Sequence, residues 1–279
     1  ARDVLTRSMS GANTTLNPTE TEPAPEQAAM GFFDHLEELR RRLFYALAGI
    51  GLCCVAGVVL WRHIFEFISI PIESAFLRAG LEPRLVFTGP LVPVKFALQA
   101  GLYAGIVLAA PLIFWQVWLF VAPGLYRNER RFVLPFVLSS SALFVVGAYF
   151  AHRVVLPITL LFVLTFGQGL FEPMITVNEY FSLWMTMVLW MGVIFELPVL
   201  IFILSWIGLV TPAFLWHYLR HAVLGIAIAA ALITPTTDVL TMTIFAAPMI
   251  ALYLLGIGIS YLVTRSRRRR AAAGASGSG

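Results

Sequence analysis

The chain has 279 residues, of which 59% are hydrophobic and only 12% charged, and its mean hydropathy is +0.85. A soluble domain carries about twice that charged share, so the composition excludes an ordinary soluble fold and points to a protein that crosses a bilayer several times. The net charge of +4 is modest; its placement matters more than its size, and no nucleic-acid partner is expected.

Residues 1–29 are rich in Thr, Pro, Glu, Ala and Asn and show no apolar period; such a composition predicts a disordered tail. It lacks the basic start and apolar centre of a signal peptide. The next stretch, residues 32–44, is charged and helix-patterned. Leu36, Leu39, Leu43 and Leu47 recur at three- and four-residue spacing, which is one face of a helix. Asp34, Glu37 and Glu38 fall in its first turns, where the helix dipole favours anions, and Arg40, Arg41 and Arg42 follow where the chain meets the membrane surface.

Six apolar spans are predicted, at about 43–62, 94–119, 132–152, 181–206, 218–233 and 240–263. The fifth is short for a hydrocarbon core about 30 Å thick. Residues 30–264 form one membrane domain, and 265–279 are a basic, flexible tail. Cys53 and Cys54 are neighbours inside span 1 and point different ways on a helix, so they read as small apolar packing residues and not as a disulfide. Pro111, Pro135, Pro198 and Pro248 lie inside spans and predict bent helices. Residues 63–93 predict a surface helix broken at Pro71 and a second one up to Gly80, and residues 153–180 predict a helix followed by a turn. The two would cap one end of the bundle. Arg40–Arg42, Arg127, Arg130, Arg131, Arg220, Arg265 and Arg267–Arg270 fall on one side of a six-span arrangement. By the positive-inside rule that side, with both termini, is cytoplasmic.

Few residues carry chemistry. Glu38 and Glu129 both belong to arginine-rich cytoplasmic segments. Each reads as an exposed carboxylate paired with a neighbouring arginine, or the two together read as a site for an incoming pair of guanidiniums. Glu196 lies well inside span 4, in Phe195-Glu196-Leu197-Pro198. It is either a structural carboxyl bonded to a carbonyl freed by the kink, or a functional polar group: an anchor for a partner's membrane helix or a proton site. Gln99 is a weaker polar neighbour in span 2. His217 and His221 stand four apart but lack an evident third ligand, and no metal, cofactor or nucleotide motif occurs. Asp238 reads as a turn residue or as part of an external contact.

Taken together, His35-Leu36-Glu37-Glu38-Leu39-Arg40-Arg41-Arg42-Leu43, the segment from Phe120 through Pro123-Gly124-Leu125-Tyr126-Arg127-Asn128-Glu129 to Arg131, Phe195–Pro198 and the stretch from Thr234 to Asp238 resemble the TatC family, the large polytopic subunit of the twin-arginine protein translocase. The resemblance covers about residues 31–264. It implies an all-α fold of six kinked transmembrane helices in a cupped arrangement with helical external caps, in the cytoplasmic (inner) membrane of a prokaryote. It implies a signal-peptide receptor and scaffold that exports folded proteins by the proton-motive force, with no enzymatic activity and no cofactor. Glu38 and Glu129 match the residues that recognise the signal's paired arginines, and His35, Arg40, Arg42, Phe120 and Tyr126 fall around them. Glu196 matches an intramembrane glutamate associated with small single-span subunits of the TatA/TatB type, Pro71 an external loop, and Asp238 an acidic residue near the outer end of span 6. The implied partners are twin-arginine signal peptides, those small subunits, the lipid bilayer and further copies of the chain. The alternative is a proton-coupled small-solute transporter using Glu196, which would need several polar groups at the bilayer midplane.

Overall fold

The structure, a computed structural model, describes the backbone of residues 25–121, 133–166, 168, 173–234 and 239–276, and the side chains of 37–119, 134–166, 168, 173–234 and 239–266. Two units are distinguished, Ala1–Arg41 and Arg42–Gly279. In the first, the described residues are the opening turns of α1 (Pro25–Val59), so helix begins inside the stretch whose composition predicted a disordered tail.

In the second unit the regular elements among the described residues are helical, with one isolated β-bridge in the connections. It contains the remainder of α1, then α2 (Trp61–Arg78), α3 (Val92–Leu108), α4 (Ala110–Val121), α5 (Val133–Phe150), α6 (Leu156–Phe166), α7 (Val177–Ile194), α8 (Leu197–Ile207), α9 (Pro212–His217), α10 (Leu219–Ile233) and α11 (Val239–Ser276). Four helical stretches are long and apolar enough to cross a bilayer: Glu37–Val59, Leu134–Phe166, Val177–Ile207 and Val239–Ser266. A fifth arises if α3 and α4, bent by 46° at their junction, act as one span. The 15 residues of α10 reach only about 22 Å at 1.5 Å per residue. The all-helical membrane class expected from the sequence is therefore the observed one.

Proline does not break these helices uniformly. Pro71 was expected to separate two surface helices, but α2 runs through it without interruption. Ile68, Ile72, Ala75 and Phe76 form one buried stripe of α2, and burial of about 1.5–3 kcal/mol for each large apolar side chain outweighs the roughly 3 kcal/mol that an interior proline costs. The break falls instead at Leu60, between α1 and α2. The expected boundary between span 3, ending at about 152, and a separate outer helix from 153 is also absent. A π-turn, Ala151–Val155, joins α5 to α6, and the Leu156 N–H bonds back to the Ala151 carbonyl. The extra residue in a π-turn re-routes the ladder just where Pro157 lacks a donor and its ring would crowd the carbonyl four residues back. Pro135 lies in the first turn of α5, and Pro248 sits inside an unbroken α11.

The segment expected to cap one end is fastened by polar contacts. α2 packs on α3 and α6. Gln168 Nε2 donates to the Ala79 carbonyl at 2.9 Å, and the Tyr180 hydroxyl donates to the Ile68 carbonyl. Val86 pairs in a parallel bridge with Thr176, where α7 starts with a capping box formed by Thr176 and Glu179. At the other end of the sequence α8 packs on α11, and a buried hydrogen bond of 2.7 Å joins Ser205 to Ser260.

Small residues set the closest helix approaches, as in membrane interfaces generally. Gly101 and Gly105 of α3 meet α1. A Cβ at Gly101 would lie 2.6 Å from the Val58 nitrogen, and one at Gly105 would lie 2.6 Å from Cys54 Cα. Cys54 itself donates weakly to the Leu102 carbonyl at 3.5 Å, so the cysteine acts as a small packing residue, as its position suggested. Gly101→Leu is expected to lower stability by about 1–3 kcal/mol through overpacking. Gly51→Leu, where a Cβ meets nothing within 4 Å, is expected to leave the thermal midpoint in detergent within a few degrees of wild type. Equal midpoints for the two variants would refute this packing assignment.

Candidate functional site

The charged residues at the start of α1 are placed by helix periodicity alone. Glu38 and Arg42 are half-buried and engaged in contacts, and Arg40 is exposed. His35 and Phe120 lie on α1 and α4 with their side chains outside the described residues. Tyr126, Glu129 and Asp238 lie outside the described residues altogether. Gln99 stands half-buried on α3, a helix that packs on α7.

The interior site is built by α5 and α7, whose facing pairs Phe144–Gly192, Gly147–Met191 and His152–Trp184 run antiparallel. Gly192 of α7 lies against the ring of Phe144, where a Cβ would come within 2.7 Å of Cε2. Gly147 of α5 lies against the Met191 carbonyl, also at 2.7 Å. With these backbones in contact, the register places Ser140 at one end of the seam beside Glu196, and His152 at the other end beside Trp184.

Glu196 occupies the break between α7 and α8. Its N–H bonds to the Val193 carbonyl at 3.1 Å, and its own carbonyl accepts from Leu200 at 2.9 Å. Pro198, in the first turn of α8, supplies no donor there and tolerates that position. The carboxyl accepts no capping bond from the first N–H groups of α8. It faces Ser140, while Oε1 is buried without a partner, as is the Ser141 hydroxyl. Around this pair, Trp118 Nε1 donates to Ser140 at 3.5 Å, and its ring stacks on Phe136 at 4.9 Å. The arrangement offers one strong hydrogen-bonding oxygen in an aromatic surround. An entering hydroxyl, amide or cation would satisfy it.

The second polar pair was not singled out from the sequence. His152 is 1% exposed, and its Nδ1 accepts from Trp184 Nε1 at 3.0 Å. Its ring stacks on Phe67 with centroids 4.1 Å apart. A histidine buried in the apolar run after Phe150-Ala151 was the available signal. By contrast His217 and His221 contact Tyr218 edge-on and tilted, respectively. Among the described residues no three metal-ligating side chains gather.

Broken apolar helices with a carboxyl at one break define a polytopic helical membrane protein with polar groups held inside its bundle. Residues 34–248 match the family model for the Sec-independent protein translocase protein TatC. The TatC protein of Koribacter versatilis is 41% identical over 264 residues, spanning 92% of this chain and 95% of that one. The chloroplast TATC of Pisum sativum is 32% identical over 88% of this chain and 67% of its own. A crystal structure of the twin-arginine translocase receptor TatC superposes with a TM-score of 0.73 at 31% identity, over 82% of this chain and 99% of that one. The chain belongs to the TatC family, a family of protein translocase components. Nothing in these likenesses supports a solute transporter built on Glu196.

Trp184→Phe removes the indole donor and leaves both nitrogens of a buried imidazole without a partner. It is expected to lower stability by about 1–3 kcal/mol, read as a depressed unfolding midpoint in detergent. A midpoint equal to wild type would show that the pair does not hold the seam.

Proposed function

We propose that this chain is the signal-peptide receptor and scaffold of a twin-arginine translocase, exporting folded proteins with the proton-motive force and performing no catalysis of its own. The observation that carries the proposal is the family match across residues 34–248, which includes both arginine-flanked acidic motifs. In this reading Glu38 and Glu129 receive the two signal arginines, and His35, Arg40, Arg42, Phe120 and Tyr126 shape that site. The chemistry supports the choice: a carboxylate takes a guanidinium in two parallel charge-assisted bonds, whereas a lysine ammonium has no matching fork. The chain's own arginines favour ionised carboxylates and compete for them.

The Lys and Arg asymmetry of the sequence supports an orientation with both termini cytoplasmic, and the likeness to the Koribacter versatilis protein supports the inner membrane of a prokaryote. The spans and the tails at 1–29 and 265–279 complete the proposed organisation, with further copies and small single-span subunits as partners. Glu196 is proposed to contact such a subunit, because its unmet Oε1 would accept a hydrogen bond from a polar side chain of an arriving helix. Gln99 is a secondary polar contact. Pro71 and Asp238 are proposed to serve translocation at the opposite face.

Glu38→Ala and Glu129→Ala are each expected to weaken binding of a twin-arginine peptide by roughly tenfold or more, the scale of a lost charge-assisted hydrogen bond. A Lys-Lys peptide should bind poorly to wild type. Unchanged binding in both variants would sink the assignment. Glu196→Ala is expected to leave peptide binding intact and reduce co-purification of single-span subunits; wild-type recovery of those subunits would refute the anchor role.

A further inference from the structure

His152 has a use that neither the acidic motifs nor Glu196 accounts for. Because Nδ1 accepts from Trp184, the neutral ring carries its proton on Nε2. That Nε2–H is buried and has no partner, an unfavourable state in any medium that excludes water. His152 also forms part of the wall of a groove of about 360 Å³ framed by α2, α3, α5 and α7. Apart from His63 and the Tyr149 hydroxyl, the rest of the groove is aliphatic and aromatic, and Leu60, Phe67, Leu108, Val145 and Tyr149 of its lining are exposed. Phe67, stacked on the imidazole, has 46% of its surface free, so it can turn outward without opening the core.

Depth narrows the ligand. The apolar helix that carries His152 begins at Leu134, and the distance to His152 is about 27 Å along the axis at 1.5 Å per residue. That is the edge of a hydrocarbon core about 30 Å thick, where glycerol ester carbonyls lie. The helix break at Leu60, also on the groove wall, marks the same boundary. The unmet group is a donor and requires an acceptor, and the apolar walls disfavour a charged one. A partner's helix would bring carbonyls already bonded within itself.

We propose that this groove binds a diacyl glycerophospholipid. One acyl chain lies along Leu108 and Val145, and its ester carbonyl accepts the His152 Nε2–H once Phe67 has turned aside. The site is separate from Glu196 and does not depend on the signal-binding proposal. The test uses the full chain in detergent, stripped of co-purified lipid and titrated by native mass spectrometry with dioleoyl phosphatidylethanolamine and with its dialkyl ether analogue, which lacks the ester carbonyls. Wild type is expected to hold the ester lipid about fivefold more tightly, the scale of one neutral hydrogen bond. His152→Phe should abolish that preference, and Val145→Trp, at an exposed lining position, should fill the groove and reduce retention of both lipids. Equal affinity for ester and ether in wild type, no retention of either, an ester preference that survives in a folded His152→Phe, or undiminished binding to Val145→Trp would each overturn the proposal. The wild-type comparison decides the matter even if His152→Phe does not fold.

Discussion

The contact on which the interior depends is the antiparallel seam between α5 and α7. Two glycines, Gly147 and Gly192, let the helices approach until a Cβ on either would clash with the other helix. That approach fixes register, and register decides the polar placements. Ser140 falls opposite Glu196, Phe144 opposite Gly192, and His152 opposite Trp184. A slip by one turn would carry both polar pairs out of reach. Since lipid gives helices no hydrophobic reason to associate, close van der Waals packing and interhelical hydrogen bonds must supply the specificity.

A second constraint explains where the helices bend. No water is available at depth to satisfy backbone groups, so each irregularity must be met inside the protein. The three irregular points in the central helices follow this rule. The α3–α4 bend lies at Ala109, whose N–H still bonds to Gly105 at 2.9 Å. The π-turn before Pro157 keeps its ladder through the Leu156–Ala151 bond. The α7–α8 break at Glu196 is bridged by the Glu196 and Leu200 N–H groups. Among the described residues, buried side-chain atoms are left unmet, Glu196 Oε1 and His152 Nε2 among them. Both atoms are buried, and the surrounding protein over-determines their geometry.

The sequence made the helical membrane class legible, because hydropathy reports burial in lipid directly. It also exposed Glu196, since a carboxyl inside an apolar run is visible without a structure. It misjudged Pro71, where burial of the Ile68–Phe76 face overrides a local rule about proline, and the end of span 3, which a π-turn carries on into α6. It did not reveal the His152–Trp184 pair, because the two residues are 32 positions apart in the chain and only the α5–α7 register brings them together. The acidic motifs were legible as patterns of charge at membrane boundaries. Their mutual arrangement belongs to tertiary structure that a pattern does not encode.

Binding and packing therefore divide the molecule. The seam holds the bundle and its internal polar groups, while the arginine-flanked acids at 32–44 and 120–131 are the segments proposed to take the cargo signal. The most direct test of that division is a site-specific crosslinking map from photoreactive residues along 32–44, along 120–131 and along the α5–α7 seam to an added twin-arginine peptide. The account predicts that contacts to the arginine pair concentrate in the two acidic segments and disappear with a Lys-Lys peptide. Arginine-pair contacts concentrated at the seam, or unchanged by the lysine substitution, would contradict it.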